Sequence, residues 1–298
     1  MALHRSERIL VGTAGWADRD LVASGWYPPQ TRTAAARLAY YAERFPLVEV
    51  DMSYYAIPTA ATVSGWVEAT DDLIMDVKAF RLLTGHSTPI ASLPPQLRAE
   101  APRPALTGRN APEALLRGAW QHFRDGLEPL RAAGRLGRVL LRFPASVMAG
   151  EPGVTQVAKA LELCRPLPAA VEFRHASWLH PERRAQTLDL LADHDAAYVC
   201  VDMPQHSACA MPPDLEVTAP TAVIRLHGRS RHWIDGDKRE RYRYDYTPAE
   251  TEQWSRNARL LTQQAHEVHV IVNTCCAGTA QRTAAGLQAS LRSAAVSG

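Results

Sequence analysis

A single α/β barrel of the TIM type, (β/α)8, is the fold this sequence predicts, and three observations carry the prediction. Eight short apolar strands recur along the 298 residues. Helical segments separate most of them, and alternation of strand and helix implies a parallel sheet. Ionisable residues within the strands keep a period of two and gather toward the strands' C-terminal ends, the face on which such barrels build their sites. With 46% hydrophobic residues the chain can fill one large core, and no linker divides it, so residues 1–298 are read as one domain.

The first strand, 9–13, runs into Gly12-Thr13-Ala14-Gly15-Trp16. Its two glycines lack G-x-G-x-x-G spacing, which excludes a dinucleotide-binding reading. An alanine-rich helix over 33–44 leads to the second strand, 47–51, where Glu49 and Asp51 share the face opposite Val48 and Val50. After a helix over 59–68, Asp76 and Lys78 pair in the same way on the third strand, 73–78. A long proline- and arginine-rich loop, 81–111, follows, and Pro112 suits the first turn of a helix over 112–133.

The fourth strand, 138–143, and a helix over 153–164 precede the fifth strand, 169–174. There Val171 and Phe173 face one way and Glu172 and Arg174 the other, before the strand breaks into His175-Ala176-Ser177-Trp178. A helix over 181–193, opened by Pro181, leads to the sixth strand, 196–202. The proline-rich stretch 203–220 stands where the next helix should be, so the barrel is expected to be irregular after strand six. On the seventh strand, 222–227, Arg225 and His227 oppose Ile224 and Leu226, and a third long loop, 228–246, follows. Thr247, Pro248 and Glu250 make a capping-box start for a helix over 248–265. The eighth strand, 268–273, ends on Asn273, and a last helix covers 279–293.

Helices cover the outer face of barrel strands and require its apolar side, so the ionisable residues are expected to point inward. Buried singly they would cost several kcal/mol each, roughly, so Glu49, Asp51 and Glu172 must pair with Lys78, Arg174 and Arg225. An internal salt-bridge lattice would satisfy that requirement alone. The presence of His86, His175, His227, Tyr55 and Tyr244 at the same strand ends favours a pocket instead.

The net charge of +2 imposes no global field that would demand nucleic acid or an anionic membrane. Arginine far outnumbers lysine, which in an alanine-rich chain reflects coding bias. The N-terminal residues lack the apolar run of a secretory signal and no segment is long enough to span a membrane, so a cytosolic protein is expected. Five cysteines, Cys164, Cys200, Cys209, Cys275 and Cys276, show no C-x-x-C spacing and read as reduced thiols. The adjacent Cys275-Cys276 pair could bind a soft metal or respond to oxidants; packing beside a strand end is the simpler expectation.

Several of these motifs, taken in order, resemble those of the YecE-like family, known as domain of unknown function 72. They are Gly12-Thr13-Ala14-Gly15-Trp16, Tyr40-Tyr41-Ala42 with Phe45, Val48-Glu49-Val50-Asp51 with Tyr55 and Pro58, the segment from Val171 through Trp178, Arg225-Leu226-His227-Gly228, and Asn273 with Ala280. The resemblance spans nearly the whole chain and implies a TIM-barrel-like fold, but no defined reaction. The sequence departs from the family pattern in three places: an Asp stands at 51 where the family has Asn, Thr274 follows Asn273, and Thr283 precedes Ala284. Glu172, Arg225 and His227 are therefore the firmer carry-overs.

The first functional expectation is an enzyme of hydrolase-like acid–base chemistry on a small anionic or polyhydroxylated substrate. Lys78, Arg225 and Arg174 would hold a phosphate or carboxylate. Glu172 would act as general acid or base, and His227 or His175 would move a second proton. Trp16, Trp178 and Tyr244 would form apolar walls, and Tyr55, His86 and Asn273 would complete the binding face. Glu49 with Glu172 could alternatively form a glycosidase-like carboxylate pair. The second expectation is a metal-dependent phosphodiester or nucleic-acid-binding protein, by analogy to barrel endonucleases. Asp51, His86, Glu172, His175, Asp202 and His227 would be its ligands, though no H-x-H or H-E-x-x-H spacing supports them. The basic residues of loop 228–246 are offset by its acids. No cofactor is expected, a divalent metal entering only with that second reading, and a non-catalytic ligand-binding protein is the remaining alternative.

Overall fold

The computed structural model describes residues 8–102, 106–108, 110–206, 210–276 and 278–295. Cys209 and the N-terminal stretch read for a signal, up to Glu7, lie outside them. Eight parallel strands pair in chain order into a closed barrel: β1 (Arg8–Ala14), β2 (Leu47–Val50), β3 (Ile74–Lys78), β4 (Leu136–Arg142), β5 (Ala169–Glu172), β6 (Ala197–Asp202), β7 (Thr221–Leu226) and β8 (Glu267–Val272). The barrel is wrapped by α1 (Arg19–Ala23), α2 (Ala34–Ala42), α3 (Ala60–Glu68), α4 (Glu113–Ala132), α5 (Glu151–Cys164), α6 (Pro181–Asp193), α7 (Lys238–Tyr242), α8 (Pro248–Thr262) and α9 (Thr279–Ala295). The predicted strands and helices are all present, with α1 and α7 added. No helix among the described residues is long and apolar enough to cross a membrane.

Local chemistry sets where the helices begin. The side chains of Asp18, Thr33 and Thr59 accept from the backbone N–H of Leu21, Ala36 and Thr62, and Thr247 with Glu250 forms the expected capping box. Each such cap contributes about 1 kcal/mol. Helix α4 buries Leu115, Ala119, Trp120, Phe123, Leu127 and Leu130, one stripe at helical spacing, against the barrel wall. Between β6 and β7 the described residues hold no helix, as the sequence predicted. The chain there instead seals the barrel with its own polar atoms: Thr218 Oγ1 accepts from Tyr198 N–H at 2.8 Å and donates to the Ala196 carbonyl at 2.6 Å. Met203 and Met211 of this segment are buried.

Strand register fixes which residues face inward. Glu49 pairs with Asp76, Arg142 with Glu172, and Arg225 with Ile271, so these side chains share the barrel interior. Leu10, Leu47 and Ile271, with Ala14 and Ile74, form a small apolar layer separate from the main core between barrel and helices. A second polar cluster occupies the interior away from the strand ends. His269 Nδ1 lies 3.0 Å from both Asp76 oxygens and its Nε2 2.8 Å from Glu267, while Asp76 also accepts from Arg138 N–H at 2.7 Å. Gly137 makes room for it, since a Cβ there would stand 2.3 Å from Asp76 Oδ1. Burial would lower the His269 pKa, but Asp76 and Glu267 outweigh it and hold the imidazole up at about 9. Asp76 thus shares an inward face with Lys78, as expected, but is matched to His269.

Candidate functional site

The strand ends converge on Arg225. Its Nε and Nη2 donate to Glu49 Oε2 and Oε1 at 2.8 and 2.6 Å, and its Nη1 donates to Glu172. Arg174 donates its Nε to the other oxygen of Glu172 and places Nη2 3.2 Å from His227 Nε2. His227 Nδ1 lies 2.9 Å from the Asn273 side-chain amide. Beside them Lys78 pairs with Asp51. Glu49, Glu172 and Arg225 are all at most 1% exposed, so two carboxylates and a guanidinium form a sealed layer under the barrel mouth.

The two carboxylates differ because they share cations unequally. Burial raises Glu49, with Arg225 and Lys78 opposing. Burial raises Glu172 too, but Arg174 and then Arg225 outweigh it and hold that carboxyl well below its ordinary value. Burial would loosen the Arg225 proton, yet Glu172 and Glu49 tighten it, so the guanidinium is charged. His227 is neutral: burial and then Arg174 push its pKa down to about 3.

Above this layer lies a cavity of about 860 Å³. Arg225, Arg174, Lys78, Asp51 and Asn273 form its floor together with Arg142, the last residue of β4. Arg142 differs from its neighbours. Its Nε is buried with no hydrogen-bond partner, its Nη2 lies 3.5 Å from Tyr54 Oη, and it makes no ion pair among the described residues. The Tyr54 ring sits among cations, 4.8 Å from Lys78 Nζ, 5.4 Å from Arg81 Cζ and 5.6 Å from Arg142 Cζ.

Two titratable side chains register the resulting positive potential. Burial, Arg142, Lys78 and Arg81 together push His86 down to about 3. Burial raises the Tyr242 phenol, but Arg174, Arg142 and Lys78 outweigh it and hold Tyr242 below the ordinary tyrosine value. Tyr242 belongs to α7, in the loop after β7, which folds over the mouth. Asp237 and Glu240 cap α7 reciprocally, Arg239 pairs with Asp20, and Cys275 N–H donates to the Tyr242 carbonyl at 2.8 Å. Trp233 from the same loop packs 5.3 Å from Tyr242 and 5.9 Å from His227, with Arg174 Cζ 5.6 Å from its ring.

Comparison with known proteins places this barrel. The family model described as "Protein of unknown function DUF72" matches residues 10–297. The chain belongs to the DUF72 family. It is 31% identical to the UPF0759 protein YunF of Bacillus subtilis (strain 168) over 280 residues, covering 91% of this chain and 90% of that one. A DUF72 family protein from Thermotoga maritima superposes with a TM-score of 0.77 at 26% identity, over 96% of this chain and all 100% of that one. A DUF72 family protein from Enterococcus faecalis V583 gives 0.75 at 24% identity, over 97% and 99% of the two chains. The family read from the spaced motifs is therefore the right one, and its TIM-type barrel is observed.

Of the residues the sequence singled out in this DUF72 protein, Glu49, Lys78, Glu172, Arg174, Arg225, His227 and Asn273 lie together at the mouth or just beneath it. Tyr55 stands on the rim, 48% exposed, edge-on to Tyr54. His86 packs behind Tyr54, ring centroids 5.3 Å apart. Four others are placed elsewhere. His175 accepts from Ser177 N–H and caps the turn Ala176–Leu179. Trp16 packs edge-on against Trp66, and Trp178 stacks on Phe173 at 4.2 Å while donating to the Val147 carbonyl. Tyr244 donates to Glu250 outside the cavity. These positions flank the strand ends in sequence, but none of the four side chains is among those that line the cavity.

The carboxylate-pair and metal-ligand expectations meet the same geometry. Glu49 and Glu172 do not face one another across open space, because Arg225 fills the gap. Asp202 pairs in register with Leu226 on the outer face, where Tyr246 Oη donates to it at 2.7 Å and Arg229 Nε at 2.9 Å. With Asp51 on Lys78 and His175 in its turn, the six suggested ligands do not converge. Among the described residues no group of three or more His, Cys, Asp or Glu side chains could hold a metal ion. The sequence reading missed Arg142, Tyr54, Trp233 and Tyr242. Arg142 alone had a signal, its inward register on the fourth strand.

Proposed function

We propose that the barrel mouth is the active site of a hydrolase-like enzyme that takes a small substrate carrying a phosphate or carboxylate. The observation that carries this reading is Arg142, a guanidinium at the cavity floor with a buried, unpartnered Nε and no carboxylate of its own. Its charge has no counter-ion among the described residues, and an anion entering the cavity supplies one. Arg142 and Arg174 supply planar forks for oxyanions and Lys78 a point charge. Trp233, Tyr55 and Tyr242 offer ring faces for the rest of the molecule.

In this arrangement Glu172 and Glu49 are positioning residues: sealed from the cavity, they aim Arg174 and Arg225. Proton transfer falls to Tyr242, whose phenol lines the cavity and is acidified by the same cations that bind the anion. Binding an anion offsets part of that field and raises the phenol's pKa, so a proton taken up by Tyr242 is held more tightly once substrate is in place. The experiment is a screen of phosphate and carboxylate esters for turnover, repeated with Tyr242→Phe. Lost turnover with retained substrate affinity supports the assignment; unchanged turnover overturns it.

A further inference from the structure

Two thiols on the cavity rim are placed for a reaction the anion site does not use. Cys275 and Cys276 are neighbours in sequence, and neighbouring side chains of an extended chain diverge. Here they converge, Sγ to Sγ 2.8 Å, because Cys276 adopts φ +81°, a left-handed conformation uncommon for a residue with a Cβ. Both are partly exposed and line the cavity, unlike the buried Cys164 and Cys200. Backbone held in such a sparsely populated region costs energy and clusters at functional sites. The pair also holds the lid: Cys275 Sγ donates to the Arg239 carbonyl at 3.1 Å and its N–H to the Tyr242 carbonyl, both in α7.

We infer that Cys275 and Cys276 form a modification site, a vicinal dithiol that a low-molecular-weight disulfide oxidises to an intramolecular disulfide, loosening α7 from the barrel mouth. In the first step Cys276 sulfur attacks the small disulfide; a mixed disulfide forms and one small thiol leaves. Cys275 sulfur then attacks the Cys276 sulfur and the second small thiol leaves. The two protein thiol protons end on the two released thiols, so the protein loses two hydrogens as the small disulfide is reduced. Cys276 goes first because the Cys275 thiol proton is engaged by the Arg239 carbonyl. Oxidation removes the only proton with which Cys275 Sγ can bond Arg239, so the wall carrying Tyr242 and Trp233 loses an anchor. The site stands independently of the anion-binding reading, and only its effect on ligand affinity rests on it.

The test treats the full-length protein with oxidised glutathione, alkylates remaining thiols and maps peptides by mass spectrometry. The expected product is the peptide containing both residues, two hydrogens lighter, unalkylated and restored by dithiothreitol, and absent from Cys276→Ser. A fully alkylated peptide, or a mixed glutathione disulfide that persists at Cys276, overturns the proposal. Inorganic phosphate is then titrated into both forms. The oxidised form is expected to bind about tenfold more weakly, the scale of one net hydrogen bond. Equal affinity overturns the link to the lid. If the reduced protein binds no phosphate, the anion reading fails while the peptide map still decides the modification site.

Discussion

Arg225 and Glu49 are joined by two parallel hydrogen bonds, 2.8 and 2.6 Å, across the inside of the barrel between β7 and β2. Both are about 1% exposed, and the remaining Arg225 nitrogen is held by Glu172. The pair closes the barrel under the cavity, and through Glu172 it is joined to Arg174.

Replacing Arg225 leaves two carboxylates buried with less compensation. Arg225→Leu is expected to destabilise the fold by about 3–5 kcal/mol, the scale for breaking a buried pair by removing one partner. Urea denaturation followed by circular dichroism measures it. A loss below about 1 kcal/mol would mean that the pair does not support the barrel.

His269 gives a pH dependence of definite sign. Its pKa is raised from 6.5 to about 9 on folding, so the folded state binds its proton more tightly than the unfolded chain does. That contribution is fully present below pH 6.5 and is lost as pH rises through about 9. Denaturation midpoints of the wild type should fall between neutral pH and about pH 10 more steeply than those of His269→Gln, where the dependence is absent. Parallel pH curves for the two proteins would contradict the assignment.

Tyr242 should titrate early. Ultraviolet difference spectra of the wild type against Tyr242→Phe should show a phenolate appearing below the ordinary tyrosine value of about 10, and Arg174→Leu should move it upward. Titration at or above that value in the wild type would remove the case for Tyr242 as proton carrier.

Much of this was legible because strands impose a period of two. Glu49, Glu172 and Arg225 each stand between two apolar residues and His227 follows Leu226, and that alternation by itself places charge inside the barrel. The irregular turn after β6 was legible too, since prolines stand where helix should be. His269 alternates just as clearly between Val268 and Val270, but it lies toward the start of its strand, away from the ends where sites are sought. Arg142 was hidden by Leu140, an inward apolar residue that breaks the charged pattern of β4. The aromatic residues misled because sequence proximity to a strand end does not fix direction. Trp178 and Tyr244 turn outward into packing, whereas Trp233 and Tyr242 reach the cavity only through the fold of a long loop.

In the proposed function Arg142 is kept for a ligand and not for the fold. Isothermal titration of inorganic phosphate into the wild type and Arg142→Met, with denaturation midpoints for both, tests it most directly. The wild type should bind, and Arg142→Met should lose roughly tenfold or more, the scale of a charge-assisted hydrogen bond, while its stability stays level or rises as a half-buried guanidinium with no counter-ion is removed. Equal phosphate affinity in the two proteins, or a stability loss in Arg142→Met comparable to that of Arg225→Leu, would contradict it.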